Sequence, residues 1–207
     1  MAFAELNALI LFFVNFLTDL VAAIGYPGIF VLMAMESATL PVPSEVVVPF
    51  AGYLALQGVF DFWAVVIVSS LANLAGSLVA YAVGFYLGRG FILKYGKYVL
   101  LKERVLAIAE EWFKKYGDRA VFFSRMLPVI RTFISLPAGV GKMHLPKFIF
   151  YTFIGSLPWN FTLAYLGFWL GDKWMVILDY SHWISFAVVV AVATIIILHF
   201  VRKRKSL

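Results

Sequence analysis

Two apolar stretches in this chain each break at a proline and pick up charges at the break, and they match one another. The first carries Leu40-Pro41-Val42-Pro43-Ser44-Glu45 and then Ala51-Gly52, and the second carries Leu127-Pro128-Val129-Ile130-Arg131-Thr132 and then Ala138-Gly139. These pieces align at an offset of 87 residues, and Gly84-Phe85-Tyr86-Leu87-Gly88 aligns with Gly167-Phe168-Trp169-Leu170-Gly171 at an offset of 83. A broken helix in lipid frees backbone groups that only protein or a water-filled cavity can satisfy. Duplicated breaks of this kind point to a transporter-type site near the bilayer midplane.

The surrounding sequence fits a bilayer. Of 207 residues, 63% are hydrophobic and only 14% are charged, against roughly a quarter charged in soluble domains. The expected class is an all-α polytopic membrane protein built as a single membrane domain over residues 1–207. Cysteine is absent, which excludes disulfides, thiolate metal sites and cysteine nucleophiles. The start lacks the basic run and cleavage site of a secretory signal, so residues 6–24 are expected to remain in the mature protein.

The net charge of +6 is distributed as a topology signal and not as a nucleic-acid footprint. No Lys or Arg occurs from Met1 to Gly88, twelve of the seventeen lie between Arg89 and Lys147, and four form Arg202-Lys203-Arg204-Lys205. Basic residues concentrate in cytoplasmic loops. Residues 64–88, 148–171 and 183–201 read as transmembrane helices, each near the ~20 apolar residues a crossing needs. Residues 6–25 form an apolar N-terminal helix that either spans or lies in the interface. An amphipathic helix over 101–118 is expected on the cytoplasmic surface, and 202–207 form a basic cytoplasmic tail. Small residues at Ala72, Gly76, Ala80, Gly84 and Gly88 recur every fourth position, a ridge that lets another helix approach closely.

Each half of segments 27–56 and 119–141 is too short to cross, so each segment is expected to be a re-entrant helical hairpin. Placing residues 89–119 in the cytoplasm brings the second hairpin in from that side and the first from the opposite side. The two repeats are then inverted, each a hairpin followed by a transmembrane helix, with an additional C-terminal span. The location is the cell (cytoplasmic or inner) membrane, multi-pass, with the C-terminus cytoplasmic.

Glu36, Glu45, Arg125 and Arg131 fall in the broken segments. Four unpaired charges there would cost on the order of 10 kcal/mol, so they are expected to face one another or a wet cavity. One alternative is two salt bridges that only hold the hairpins together. The functional alternative gives Arg125 and Arg131 the phosphate of a substrate, since a guanidinium stays charged and its fork matches phosphate oxygens. Glu36 and Glu45 are then candidates for proton coupling. An acid that gives up its arginine to a phosphate is left as an unpaired charge, and taking a proton removes that charge. Asn73 and Asn160, at the 87-residue offset, either bridge helices or line a cavity, and Thr132 is a further candidate for its lining. Trp159 and Pro158 read as a helix kink. His144, His182 and His199 show no ligand spacing, so no metal is assigned. No cofactor is expected, and no phosphate loop for ATP is present.

The run Phe123-Ser124-Arg125-Met126-Leu127-Pro128-Val129-Ile130-Arg131-Thr132, with Pro137-Ala138-Gly139-Val140-Gly141-Lys142-Met143 after it, resembles the signature of the DedA family of membrane proteins. Glu36 through Glu45 with Gly52 resembles the family's first hairpin. The likeness covers roughly residues 25–172. It implies two opposed re-entrant hairpins and kinship with the phospholipid scramblases of the VTT-domain, or SNARE-associated, superfamily. It further implies a flippase or scramblase for phosphate-bearing lipids, such as undecaprenyl phosphate, with proton dependence. The family's acids carry over to Glu36 and Glu45 and its arginines to Arg125 and Arg131. Many members have an aspartate where this chain reads Val46 to Gly52, which leaves the second acid open.

The expected partners are membrane lipids with an anionic phosphate headgroup and protons, without nucleic acid, and a homo-oligomer is compatible with them. The chain is expected not to be an enzyme, because it lacks the paired histidine motifs of a lipid phosphatase. The alternative function is a proton-coupled transporter of a small ion or solute.

Overall fold

Apolar text interrupted by Gly and Pro folds here into helices whose ends follow those interruptions. The computed structural model describes residues 2–40, 42–95, 111, 113, 115–127 and 130–173. The expected span 183–201, the tail 202–207, most of the amphipathic helix 101–118, and Pro41, Pro128 and Val129 lie outside the described residues. All described residues belong to one compact unit, Met1–Trp174, and they are helical with turns between.

Helix α1 (Ala2–Ile24) ends at Gly25, whose φ of 73° is open to a residue without Cβ. Helix α2 (Tyr26–Ser37) starts with Pro27 in its first turn, where a missing N–H costs nothing. The chain then turns through Thr39, itself at positive φ, and restarts as α3 (Ser44–Leu56) from an extended Pro43. At 12 and 13 residues, α2 and α3 are each about 20 Å long, short of the ~30 Å hydrocarbon layer. Helix α4 (Phe62–Tyr95) follows, interrupted at Gly88 with φ 68°. Among the described residues, Phe62–Gly88 is the one helix both long and apolar enough to cross a membrane.

The second broken segment gives three short pieces, α5 (Arg119–Ser124), α6 (Ile130–Phe133) and α7 (Ser135–Val140). The division at Ile134 follows from Pro137. Its ring lacks the N–H that would bond the Phe133 carbonyl and crowds that same carbonyl. Helix α8 (Leu145–Leu170) is 26 residues long and closes in a 3-10 turn, Gly171–Lys173. Sequence reading put α8 on a par with residues 64–88. It is long enough to span, but buried Thr152, Ser156 and Asn160 lower its apolar character.

Glycines fix how these helices meet. A Cβ on Gly52 of α3 would run into the Ala164 carbonyl of α8, and one on Gly167 of α8 into the Pro49 carbonyl of α3. The same contact recurs between α7 and α4, where Gly139 faces Tyr81 and Gly84 faces Leu136. Both pairings are antiparallel, because a higher number on one helix meets a lower one on the other. Gly76 likewise seats α2 on α4 through Ala34 and Ser37, and Gly155 seats α5 on α8 through Phe122 and Arg125. The duplicated glycines are therefore where one repeat lies against the other, with van der Waals packing in place of long side chains.

A core of Tyr81, Val121, Ile134, Ala138, Met143 and Phe148 ties α4, α5, α7 and α8 together. The Tyr81 ring lies 4.7 Å from that of Phe148, tilted by 33°, and its hydroxyl donates to the Met143 carbonyl. Tyr81→Phe keeps the ring and removes that bond. It is expected to lower stability by about 1 kcal/mol, or about 3 °C in the Tm measured in detergent, and an unchanged Tm would contradict this. Outside the core, Phe12, Trp63, Val79, Tyr86, Phe150 and Trp169 are exposed. So large an apolar exterior suits lipid better than water.

Candidate functional site

Charged and polar side chains that the sequence spreads over more than a hundred residues meet in one buried cluster. Glu36 comes from the last turn of α2, and Ser44 opens α3. Asn73 sits within α4, Arg125 caps α5, and Arg131 lies in α6. Helix α8 contributes Thr152, Ser156, Trp159 and Asn160. Glu36, Ser44, Asn73, Arg125, Arg131 and Asn160 are all buried, with Arg125 only 3% exposed.

Arg131 is the hub. Its Nη2 forms an ion pair with Glu36 Oε1 and also donates to Ser44 Oγ. Ser44 passes the contact on, donating to Glu45 Oε2 at 3.2 Å. On the other side Asn73 Nδ2 donates to Glu36 Oε2 at 3.4 Å and to Ser37 Oγ at 2.7 Å. Asn160 Nδ2 donates to Asn73 Oδ1 at 2.8 Å and to Ser70 Oγ at 2.9 Å. One continuous chain thus runs Asn160, Asn73, Glu36, Arg131, Ser44, Glu45. The indole of Trp159 covers Arg131 with its centroid 5.0 Å from Cζ, a cation–π contact that is strongest away from water.

Arg125 is held differently. Its Nη2 donates to Ser135 Oγ at 2.9 Å and to Thr152 Oγ1 at 3.4 Å, while Nε has no partner. Among the described residues no carboxylate pairs with it, although Arg131 and Glu36 lie within electrostatic reach. A guanidinium has five N–H donors and no acceptor, and burying one without a counter-charge costs several kcal/mol. Two hydroxyls orient this cation without neutralising it. What the arrangement offers chemically is a buried positive charge with no counter-charge paired to it among the described residues.

The sequence expectation of two acids facing two arginines is therefore met for one pair. Glu36 joins Arg131, Glu45 reaches the cluster through Ser44, and Arg125 has no acid partner among the described residues. Asn73 and Asn160 bond to each other across the 87-residue offset, as do Arg131 and Ser44. Thr132 is half-buried, and the hydroxyls that bond the arginines are those of Ser44, Ser135 and Thr152. Trp159, read from sequence as part of a kink, is a neighbour of the charged cluster that sequence reasoning missed. Its partner Arg131 is 28 positions away, and no local pattern links them. Ser44 had a signal, since it aligns with Arg131 between the repeats, whereas Ser135 and Thr152 had none. His144 is exposed at the N-cap of α8, and Asp118 pairs with Lys147 at 2.9 Å at the same surface. Among the described residues, no group of three His, Asp or Glu side chains comes together as a metal site.

Comparison with known proteins adds a family. The sequence matches the VTT domain over residues 42–168. It is 34% identical over 182 residues to undecaprenyl phosphate transporter A of Bacillus subtilis, covering 88% of this chain and 90% of that one. It is 32% identical over 196 residues to undecaprenyl phosphate transporter A of Staphylococcus aureus, covering 91% and 97%. An alkaline phosphatase-like protein of Lactococcus lactis subsp. lactis is 37% identical over 188 residues, covering 87% and 88%. No solved structure matches the chain.

Proposed function

The chain belongs to the VTT-domain family, and from that premise we propose that it is a flippase or scramblase carrying a phosphate-bearing lipid, undecaprenyl phosphate or a phospholipid, across the cell membrane. The observation that carries this reading is Arg125, a buried guanidinium held by two hydroxyls, with no carboxylate paired to it among the described residues. A charge kept in that state costs stability, and a substrate that brings the missing anion repays it. Relatives named as undecaprenyl phosphate transporters supply the headgroup that fits. In this reading the phosphate enters against Arg125 and Arg131 while the polyprenyl or acyl tail stays in the bilayer.

Proton coupling follows from the ion pair. When phosphate takes Arg131, Glu36 loses its counter-charge in a buried place and takes up a proton. The Ser44 hydroxyl between Arg131 and Glu45 gives that proton a second carboxylate to reach. Glu36 and Glu45 are the proposed proton carriers. Asn73 and Asn160 lie on the same chain of hydrogen bonds, and Thr132 is the proposed further wall of the cavity.

The proposed architecture is a pair of inverted repeats. Residues 27–56 and 119–141 are the re-entrant hairpins, and 64–88 and 148–171 the spans that follow them. The glycine contacts made twice support it, as do the two contacts between residues at equivalent positions. Equivalent residues touch each other only where a local two-fold axis passes between them. The C-terminus is proposed to be cytoplasmic, as the basic residues require. Transport rather than hydrolysis is the proposed activity, because relatives named as undecaprenyl phosphate transporters match nearly their whole length and the sequence lacks the paired histidine motifs of a lipid phosphatase.

Purified protein in liposomes tests the proposal, with labelled undecaprenyl phosphate, undecaprenol and phospholipid loaded in parallel. The expected result is movement of the phosphate-bearing lipids, faster with a proton gradient, and none above background for the alcohol. Equal movement of alcohol and phosphate would remove the headgroup site from the mechanism. Movement of a small solute without lipid would favour the solute transporter instead.

A further inference from the structure

Three N–H donors in the cluster are buried and have no partner among the described residues: Arg125 Nε, Arg131 Nε and Trp159 Nε1. Their residues are 3%, 5% and 6% exposed. Most of the hydroxyls, carboxylates and amides around them already have uses, the exception being Asn160 Oδ1, which also lacks a partner. Glu36 spends one oxygen on Arg131 and the other on Asn73. Ser44, Ser135 and Thr152 accept from the two arginines. What remains unmet is three donors, two of them charged and one neutral, against a single amide acceptor.

Helix α8 sets their spacing. Thr152, which accepts from Arg125, and Trp159, which covers Arg131, are seven residues apart and so lie on one helix face about 10 Å from each other. Buried Ser156 lies between them and turns its hydroxyl back to the Thr152 carbonyl. The two arginines are thereby laid along one strip of α8. The indole belongs to the same strip, at the Arg131 end. Indole N–H is a donor only, and a buried one ordinarily finds an acceptor. A phosphate offers nothing but acceptors on the headgroup side.

We propose that Trp159 is a third phosphate donor, its Nε1–H bonding a headgroup oxygen alongside Arg125 and Arg131. The proposal rests on the lipid-phosphate reading of the site and adds to it a neutral contact. A neutral donor tightens the hold on phosphate without adding charge that would have to be desolvated when the site empties. It also gives Trp159 two separable jobs. The ring face steadies Arg131, and the ring edge binds substrate.

Trp159→Phe separates them, because phenyl keeps a π face over Arg131 and loses the N–H. A second variant carries benzothienylalanine at position 159, which preserves the bicyclic shape and puts sulfur where the N–H was. Binding is measured calorimetrically on the full chain in detergent, with farnesyl phosphate as the short-chain probe, and with farnesol and inorganic phosphate as separate arms. The expected result is about tenfold weaker binding of farnesyl phosphate by both variants, equivalent to about 1.4 kcal/mol, with Tm held within a few degrees of wild type. If Trp159→Phe does not fold, the benzothienyl variant decides alone. Wild-type affinity in the benzothienyl variant overturns the proposal. Failure of the wild type to bind either phosphate probe overturns the phosphate reading itself, and the proposal with it. Tighter binding of farnesyl phosphate than of inorganic phosphate identifies the lipid headgroup as the source, and the tenfold ratio is read on whichever probe binds.

Discussion

Arg125→Ala is expected to slow the movement of undecaprenyl phosphate in proteoliposomes by on the order of a hundredfold, which corresponds to losing about two charge-assisted hydrogen bonds. The same substitution is expected to leave the protein as stable as before or more stable. Its guanidinium is 3% exposed and no carboxylate pairs with it among the described residues, so its removal relieves a desolvation penalty instead of breaking an ion pair. Loss of rate with unchanged or higher Tm is the signature of a residue kept for its ligand. Arg125→Lys keeps the charge but replaces a planar fork with a point, and should recover only part of the rate. A stable variant that moves lipid phosphate at the wild-type rate would take Arg125 out of the site. A variant that unfolds would mean that the contacts with Ser135 and Thr152 are chiefly structural.

Glu36→Ala is expected to do the opposite to stability. It leaves Arg131 buried beside Arg125 with no acid on either, and truncating one partner of a buried pair costs about 3–5 kcal/mol. For a chain of 207 residues that is on the order of 10 °C in Tm. Asn73 loses an acceptor at the same time but keeps Ser37. Glu36→Gln preserves the shape and one acceptor, so its loss of stability should be smaller, while any proton dependence of transport carried by Glu36 should vanish. A second change to Arg131→Met in the Glu36→Ala background removes the stranded charge and should return most of the lost stability, although transport stays absent. Additive loss in the double variant would show that the two residues are not coupled.

The contrast between these arginines marks how far sequence reaches. The broken segments were legible because proline and polar residues interrupt apolar text at defined places. The proline-bearing run Leu40-Pro41-Val42-Pro43 falls between the end of α2 at Ser37 and the start of α3 at Ser44. The small-residue ridge was legible too, and Gly76 and Gly84 lie against α2 and α7. The division of the second broken segment into α6 and α7 was not foreseen, although Pro137 placed four residues after Phe133 holds the reason. Which charges would pair was hidden, because pairing depends on how the two broken segments register against each other in space. Sequence can name Glu36, Glu45, Arg125 and Arg131 as costly in lipid. It cannot say that Arg131 takes the acid and Arg125 takes two hydroxyls. Trp159 was hidden for the same reason, since an aromatic beside a proline looks like packing until the cation above it is known.

Magic-angle spinning NMR on protein in lipid, carrying nitrogen-15 arginine and bound to farnesyl phosphate, tests the central claim most directly through phosphorus–nitrogen distances. The account predicts that the phosphate lies about 4 Å from guanidinium nitrogens of two arginines, the separation of a charge-assisted N–H···O–P contact. Arg125→Lys and Arg131→Lys should each remove one of the two couplings and so assign them. Phosphate bound with no arginine coupling, or with couplings that survive both substitutions, would contradict it.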